Sequence, residues 1–286
     1  MFWSMMSSRT IPTKADITMN NSFINNLKKF RFLFWELVKK DIKLKYRSSV
    51  LGVFWTLLEP LLTMIVLTLV FSNLLGKGDD NFPVYILCGR LLYGYFSNAT
   101  KVALKSVRKH GSMIGKVYVP KYMYPLSAVV SNYIMFVISL IVLVGVMIFE
   151  KVKVTWYIFQ AIVPMLLILI MTMGVGLLLA TFDVFFRDLE YLWTVALMLI
   201  MYTCAIFYKV DKIKSAANAW IFKVNPLYSL IYMFRNAVFG RSIMAGDGDI
   251  VGDGYHFWYA LIFSAVVFLL GVLVFWRKQD KFILYV

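Results

Sequence analysis

The sequence predicts an all-α, polytopic membrane protein with six transmembrane helices and both termini in the cytoplasm. Three observations carry that expectation. Of 286 residues, 61% are hydrophobic and only 16% charged, whereas a soluble domain has roughly 45–50% apolar and 25% charged residues. Six segments come close to the roughly 20 apolar residues that a spanning helix needs. The 30 Lys and Arg, set against 15 Asp and Glu, concentrate before the first span and between the second and third, as the positive-inside rule expects. A soluble enzyme, a disordered regulator and a disulfide scaffold are excluded. With the net charge of +15 used for topology, none is left over to suggest a nucleic-acid partner.

Residues 1–23 form a polar extension without the apolar core of a cleavable signal peptide. Residues 24–48 predict an amphipathic interfacial helix. Leu27, Phe30, Phe34, Val38 and Ile42 recur at steps of three or four, the period of one helix face. Lys28, Lys39, Lys40 and Lys43 lie largely off that stripe, and Arg31 is its one misfit. Such a helix lies at the headgroups, apolar face down, either as a plain anchor or also as a docking element for a cytoplasmic partner.

Residues 49–286 hold the six spans, at 51–75, 82–100, 123–149, 154–180, 191–208 and 258–276. The second is the weakest, because it contains Arg90, Asn98 and Thr100. The basic loop 107–125 is closed by Pro120 and Pro125, which fix the start of the third span. It is not a phosphate-binding loop. That pattern needs four residues between its glycines and Ser or Thr after its Lys, but Gly111 and Gly115 enclose three, and Val117 follows Lys116.

Catalytic chemistry finds no footing. Cys88 and Cys204 sit in apolar runs as small buried hydrophobes. His110 and His256 are far apart, and no cluster has metal-ligand spacing. Asp247, Asp249 and Asp253 lack the calcium-loop pattern and read as a solvated loop. The chain is therefore expected not to be an enzyme.

Two ionisable residues fall well inside spans, where a charge costs at least a few kcal/mol. Glu59 and Arg90 are expected to meet across adjacent helices. The alternatives are an Arg90 that snorkels outward and a Glu59 that is protonated or faces water. Aromatics also crowd the spans and their edges: Phe54, Trp55, Tyr93, Tyr95, Phe96, Phe182 and Phe186. They suit interfacial belts or, alternatively, a pore lining that stacks on sugar rings.

Four segments resemble the permease subunits of ABC transporters that export polysaccharides and polyol phosphates, within the type-2 ABC export superfamily. They are residues 45–72 with their Glu59-Pro60, residues 114–132, the FDVFFRDLEYL motif at 182–192 with Arg187 and Asp188, and residues 224–240 with Asn225, Pro226 and Arg235. One departure is Ala205, where the family often has Pro. The resemblance implies a homodimeric channel in a bacterial inner or plasma membrane, served by two copies of a separate ATP-binding subunit. No cofactor is expected in this chain, since ATP and Mg would bind that partner. Its docking surface would comprise Gly111, Ile114, Lys116, Tyr118 and Pro120 of the loop with Lys39 and Lys43 of the lead-in helix. Residues 209–257 would form an outer gate of short re-entrant helices. The implied cargo is a lipid-linked glycan or a teichoic-acid-like polymer, with a drug or peptide as the alternative within the superfamily. A membrane-embedded transferase and a passive channel are the readings outside it.

Overall fold

The computed structural model describes residues 30–47, 49–75, 81–111, 119–208, 222, 224–246 and 252–284, and every regular element among them is helical. Among the described residues eight α-helices follow one another: α1 Arg31–Tyr46, α2 Trp55–Leu75, α3 Phe82–Lys109, α4 Met123–Phe149, α5 Ile162–Phe185, α6 Leu189–Thr203, α7 Pro226–Val238 and α8 Tyr255–Lys278. Short 3-10 turns at Gly52–Phe54, Trp156–Ala161 and Gln279–Leu284 lead into α2 and α5 and close the C-terminal end.

Each of the six apolar segments of the sequence contains a helix, although 204–208 at the end of the fifth is not helical. Four are long and apolar enough to cross a membrane: Gly52–Phe71, Met123–Phe149, Trp156–Phe185 and Tyr255–Lys278. The other two depart from the expected spans for identifiable reasons. Helix α3 continues nine residues past Thr100 through a polar last turn that ends in Arg108 and Lys109, cations favoured at a helix C-terminus. Helix α6 stops after 15 residues, about 22 Å at the helical rise and short of the roughly 30 Å hydrocarbon core.

Packing centres on α3, α5 and α4. Helix α5 crosses α8 through a glycine pair: a Cβ on Gly271 would lie 2.5 Å from the Gly174 carbonyl oxygen, and one on Gly174 2.6 Å from the Phe268 backbone. Small residues of this kind let two membrane helices approach backbone to backbone. Helix α4 carries Pro125 in its first turn, where the missing N–H has no intrahelical partner to lose.

The apolar face of α1 meets protein. Leu37 and Val38 are buried, with Phe30, Leu33 and Phe34 packed beside Tyr122, Met123, Tyr124, Leu177, Phe275 and Phe282 at the ends of α4, α5 and α8. Part of the stripe expected to face lipid therefore packs against the bundle. Leu37, which the stripe omits, is part of the buried face, and Arg31 is exposed. Leu27 and Lys28 lie outside the described residues. Phe32 and Trp35 point the other way and are exposed.

Candidate functional site

A polar cleft runs between α2, α3 and α4, with a volume of about 300 Å³. Each helix contributes one face to it. From α3 come Arg90, Gly94, Ser97, Asn98 and Lys101, at steps i, i+4, i+7, i+8 and i+11 that share a side of an α-helix. From α2 come Thr56, Glu59, Pro60 and Thr63, and from α4 Asn132, Phe136 and Ser139. Lys45 and Tyr46, at the end of α1, close one mouth. The α3 stripe alone is about 16 Å long, so the cleft runs lengthwise along the helices.

The wall is rich in oxygen acceptors. The Thr63 hydroxyl donates to the Glu59 carbonyl at 2.7 Å, Asn132 Nδ2 to the Ala128 carbonyl at 2.8 Å, and the Ser139 hydroxyl to the Phe136 carbonyl at 2.7 Å. With both hydroxyl donors used on their own helices, Thr63 and Ser139 keep oxygen lone pairs for other partners, while Asn132 keeps its amide oxygen and one N–H. Pro60 has no N–H, which leaves the Thr56 carbonyl without its helix donor beside the same cleft. Partial desolvation at the cleft lowers the Lys45 ammonium below the ordinary lysine range, although its side chain is exposed, and the Glu59 carboxylate opposes that shift. Glu59 and Arg90 share the cleft, but no ion pair joins them among the described residues. The expected direct contact is absent, although the structure brings the two onto one wall.

Of the aromatic residues, Tyr93 and Tyr95 line the cleft. Tyr95 packs against Tyr133 and Phe136 at ring distances of 5.4 and 5.3 Å, and the Tyr93 hydroxyl donates to the Leu197 carbonyl at 2.8 Å, tying α3 to α6. Phe96 turns away towards Trp193, at 6.2 Å. Phe54, Trp55, Phe182 and Phe186 are exposed and do not line this cleft.

At the pole carrying the start of α3 and α7, Asn225, Pro226 and Arg235 converge on the break that follows α6. Residues 204–207 there are buried but not helical, and Ala205 has a φ of +48°. The Arg235 guanidinium donates to the carbonyls of Tyr85, Ala205 and Ile206 at 3.2, 3.0 and 3.3 Å. It lies 3.5 Å from the Tyr85 ring. Gly89 makes room for it, because a Cβ there would be 2.7 Å from the guanidinium. The Asn225 Oδ1 accepts from the Leu227 and Tyr228 amides, and its Nδ2 donates to Thr203 Oγ1 at 2.9 Å. This single residue caps α7 and binds it to the end of α6. Irregular backbone at membrane depth needs such internal donors. Proline is excluded at Ala205 in this conformation, since its ring holds φ near −65°.

The opposite pole carries α1 and a group of charges. Arg108 Nε lies 3.4 Å from Asp183 Oδ2 and its Nη2 3.3 Å from Glu190 Oε2, while Lys105 pairs with the other oxygen of Glu190. Asp183 is fully buried. Lys105 and Glu190 hold the exposed side of this network, and the Lys105 hydrogen bond lowers the Glu190 carboxyl below the usual range. Sequence reasoning passed over Lys105, Arg108, Asp183 and Glu190. The visible signal was the i, i+3 basic pair ahead of a motif with acids at 183 and 190. Arg187 and Asp188 of that motif are exposed beside the network, and the Asp188 carbonyl accepts from Tyr191 and Leu192 at the start of α6. Gly111 and Pro120 flank the basic loop, Pro120 buried, and Lys39 and Lys43 are exposed on α1. Ile114, Lys116 and Tyr118 lie outside the described residues. No group of three or more His, Cys, Asp or Glu side chains that could hold a metal occurs among the described residues.

A bundle of apolar helices that carries a lengthwise polar cleft and leaves large apolar faces uncovered defines an integral membrane protein of the transport class. The chain belongs to the ABC-2 type transporter family, which it matches over residues 32–239. It is similar to the O-antigen export system permease protein RfbA of Myxococcus xanthus, with 30% identity covering 74% of this chain and 82% of that protein. An O-antigen export permease of Klebsiella pneumoniae is 25% identical over 86% of this chain and 92% of its own. The capsule polysaccharide export inner-membrane protein CtrC of Neisseria meningitidis is 21% identical over 88% and 93%.

Proposed function

We propose that this chain is the inner-membrane permease subunit of an ATP-driven exporter that moves a lipid-linked polysaccharide out of the cytoplasm. The observation that carries the reading is the cleft between α2, α3 and α4, a polar path along helices that are otherwise apolar. Relatives that serve O-antigen and capsule polysaccharide export support a glycan over a drug or peptide. A teichoic-acid-like polymer satisfies the same physical requirements, being polar and rich in hydroxyls.

In this reading α3 and α6 also cross the membrane, for six spans, and both termini lie in the cytoplasm with the α1 pole. The chain pairs with a second copy and with two copies of an ATP-binding subunit, which holds ATP and Mg. Hydrolysis belongs to that partner. It docks on the loop between Gly111 and Pro120 and on the Lys39 and Lys43 face of α1. Motion imposed there reaches α5 and α6 through the Arg108, Asp183 and Glu190 network. Helix α7, 13 residues long with most side chains buried, dips into the outer leaflet, and Arg235 and Asn225 hold the exit closed.

Deletion of the gene, followed by fractionation of the native lipid-linked polymer, tests this function. Accumulation of polymer on the cytoplasmic side, reversed by the plasmid-borne gene, is the expected outcome. Undiminished surface polymer in the deletion strain would overturn it.

A further inference from the structure

We propose that the cleft is an oxyanion site in which Arg90 and Lys101 hold a phosphate group joined to a hydroxyl-bearing molecule. The charges on its wall are unbalanced: Lys45, Arg90 and Lys101 face a single carboxylate, Glu59, among the described residues. Other arginines of the bundle find partners in the protein: the buried Arg235 donates to three carbonyls, and Arg108 in the last turn of α3 pairs with two carboxylates. Arg90 has no hydrogen bond and no ion pair among the described residues, although it stands about 12 Å along α3 from Phe82. A guanidinium at such depth calls for a counter-charge, and its planar fork matches a phosphate in two parallel hydrogen bonds.

The rest of the wall fits what a phosphate would be attached to. Lys101 and Asn98, both exposed on the same face, add donors for the anion. Thr63 and Ser139 present acceptors, because their hydroxyl donors are spent on backbone carbonyls, and Asn132 presents its amide oxygen while one of its two N–H donors is held by the Ala128 carbonyl; acceptors suit the hydroxyls of a sugar or polyol. Two sources share this chemistry: the phosphate that links a glycan to its lipid, and the headgroup of a phospholipid. The first source rests on the export reading, whereas the site itself does not.

The test uses the full chain with its ATPase in phosphatidylcholine nanodiscs, nucleotide sites filled with ADP, and glycerol phosphate as the probe. Titration calorimetry should detect binding of glycerol phosphate and none of glycerol. R90Q should weaken binding at least tenfold, since the loss of even one of the two charge-assisted hydrogen bonds is worth about that much, and R90K less. N98D, which places a negative charge in the cleft, should weaken it as well and serves if R90Q does not fold. K153Q removes an exposed charge elsewhere and should change nothing. Equal affinity for the parent, R90Q and N98D would overturn the site. Added phosphatidylglycerol that displaces the probe would identify a lipid headgroup as the occupant, and failure to displace it would identify the cargo's phosphate; either keeps the oxyanion site. Failure of the export reading shows separately, as normal surface polymer in the deletion strain, whatever the binding result.

Discussion

Arg235 shows how a buried charge is accommodated without an opposite charge. Two of its three partners are carbonyl oxygens that the break after α6 leaves without helical donors, so the cation and the broken backbone satisfy one another. Replacing it with Gln should destabilise the protein by about 2–4 kcal/mol, since each buried acceptor left unpaired costs about 1–3 kcal/mol and water recovers part of the loss. Ala205→Gly should be tolerated, because glycine adopts positive φ without the steric penalty, while Ala205→Pro should cost as much as Arg235→Gln. Thermal unfolding in detergent followed by tryptophan fluorescence checks all three. An R235Q protein as stable as the parent would remove the clamp from the account. None of this was legible in the sequence beyond the residue identities. Asn225, Pro226 and Arg235 stood out as a group, but the partners of Arg235 are backbone atoms, which no side-chain pattern reports.

Helices were legible wherever burial in lipid and burial in protein demand the same residues. The third span matches α4 at both ends, Met123–Phe149, because hydropathy and the flanking prolines agree there. The second apolar span ends at Thr100 and its following cations read as part of the loop between spans two and three, because the last turns of α3 are polar on the exposed side. Lys105 and Arg108 in fact continue the helix and reach Asp183 and Glu190 across it. The face of α1 was legible while its partner was not, since an apolar stripe looks the same whether it meets acyl chains or Tyr122 and Phe282. The cleft was half legible. Arg90 and Asn98 marked the second span as weak, but a path needs the matching polar faces of α2 and α4, which only the packing brings opposite. The charge network supplies the prediction at this scale. Arg108→Gln leaves the buried Asp183 carboxylate uncompensated and should cost about 3–5 kcal/mol. Adding Asp183→Asn should restore much of that loss, because the buried charge is then gone. The double-mutant cycle in thermal stability reads the coupling, and additive losses would show that the pair does not join α3 to α5.

At the scale of the whole molecule, the chain is an incomplete surface. Within its span, α2 has only 6% of its most apolar stretch buried by the rest of the chain, and Leu62, Val66 and Leu69 are exposed along it. Lipid or a second copy must cover them, and the cleft beside α2 becomes a closed path only once that cover is in place. The two poles divide the work: charges and α1 on one side, the α6 break with α7 on the other, and the polar cleft between them. The central claim is that the glycan travels along this cleft. Its most direct test is export of the native polymer by N98W, with I141W as the control. Asn98 lies on the cleft wall, whereas Ile141 is an exposed residue of α4 outside the cleft. Both variants should insert into the membrane and retain the ATPase, but N98W should reduce surface polymer at least tenfold while I141W exports normally. Export by N98W at the parental level would contradict the account.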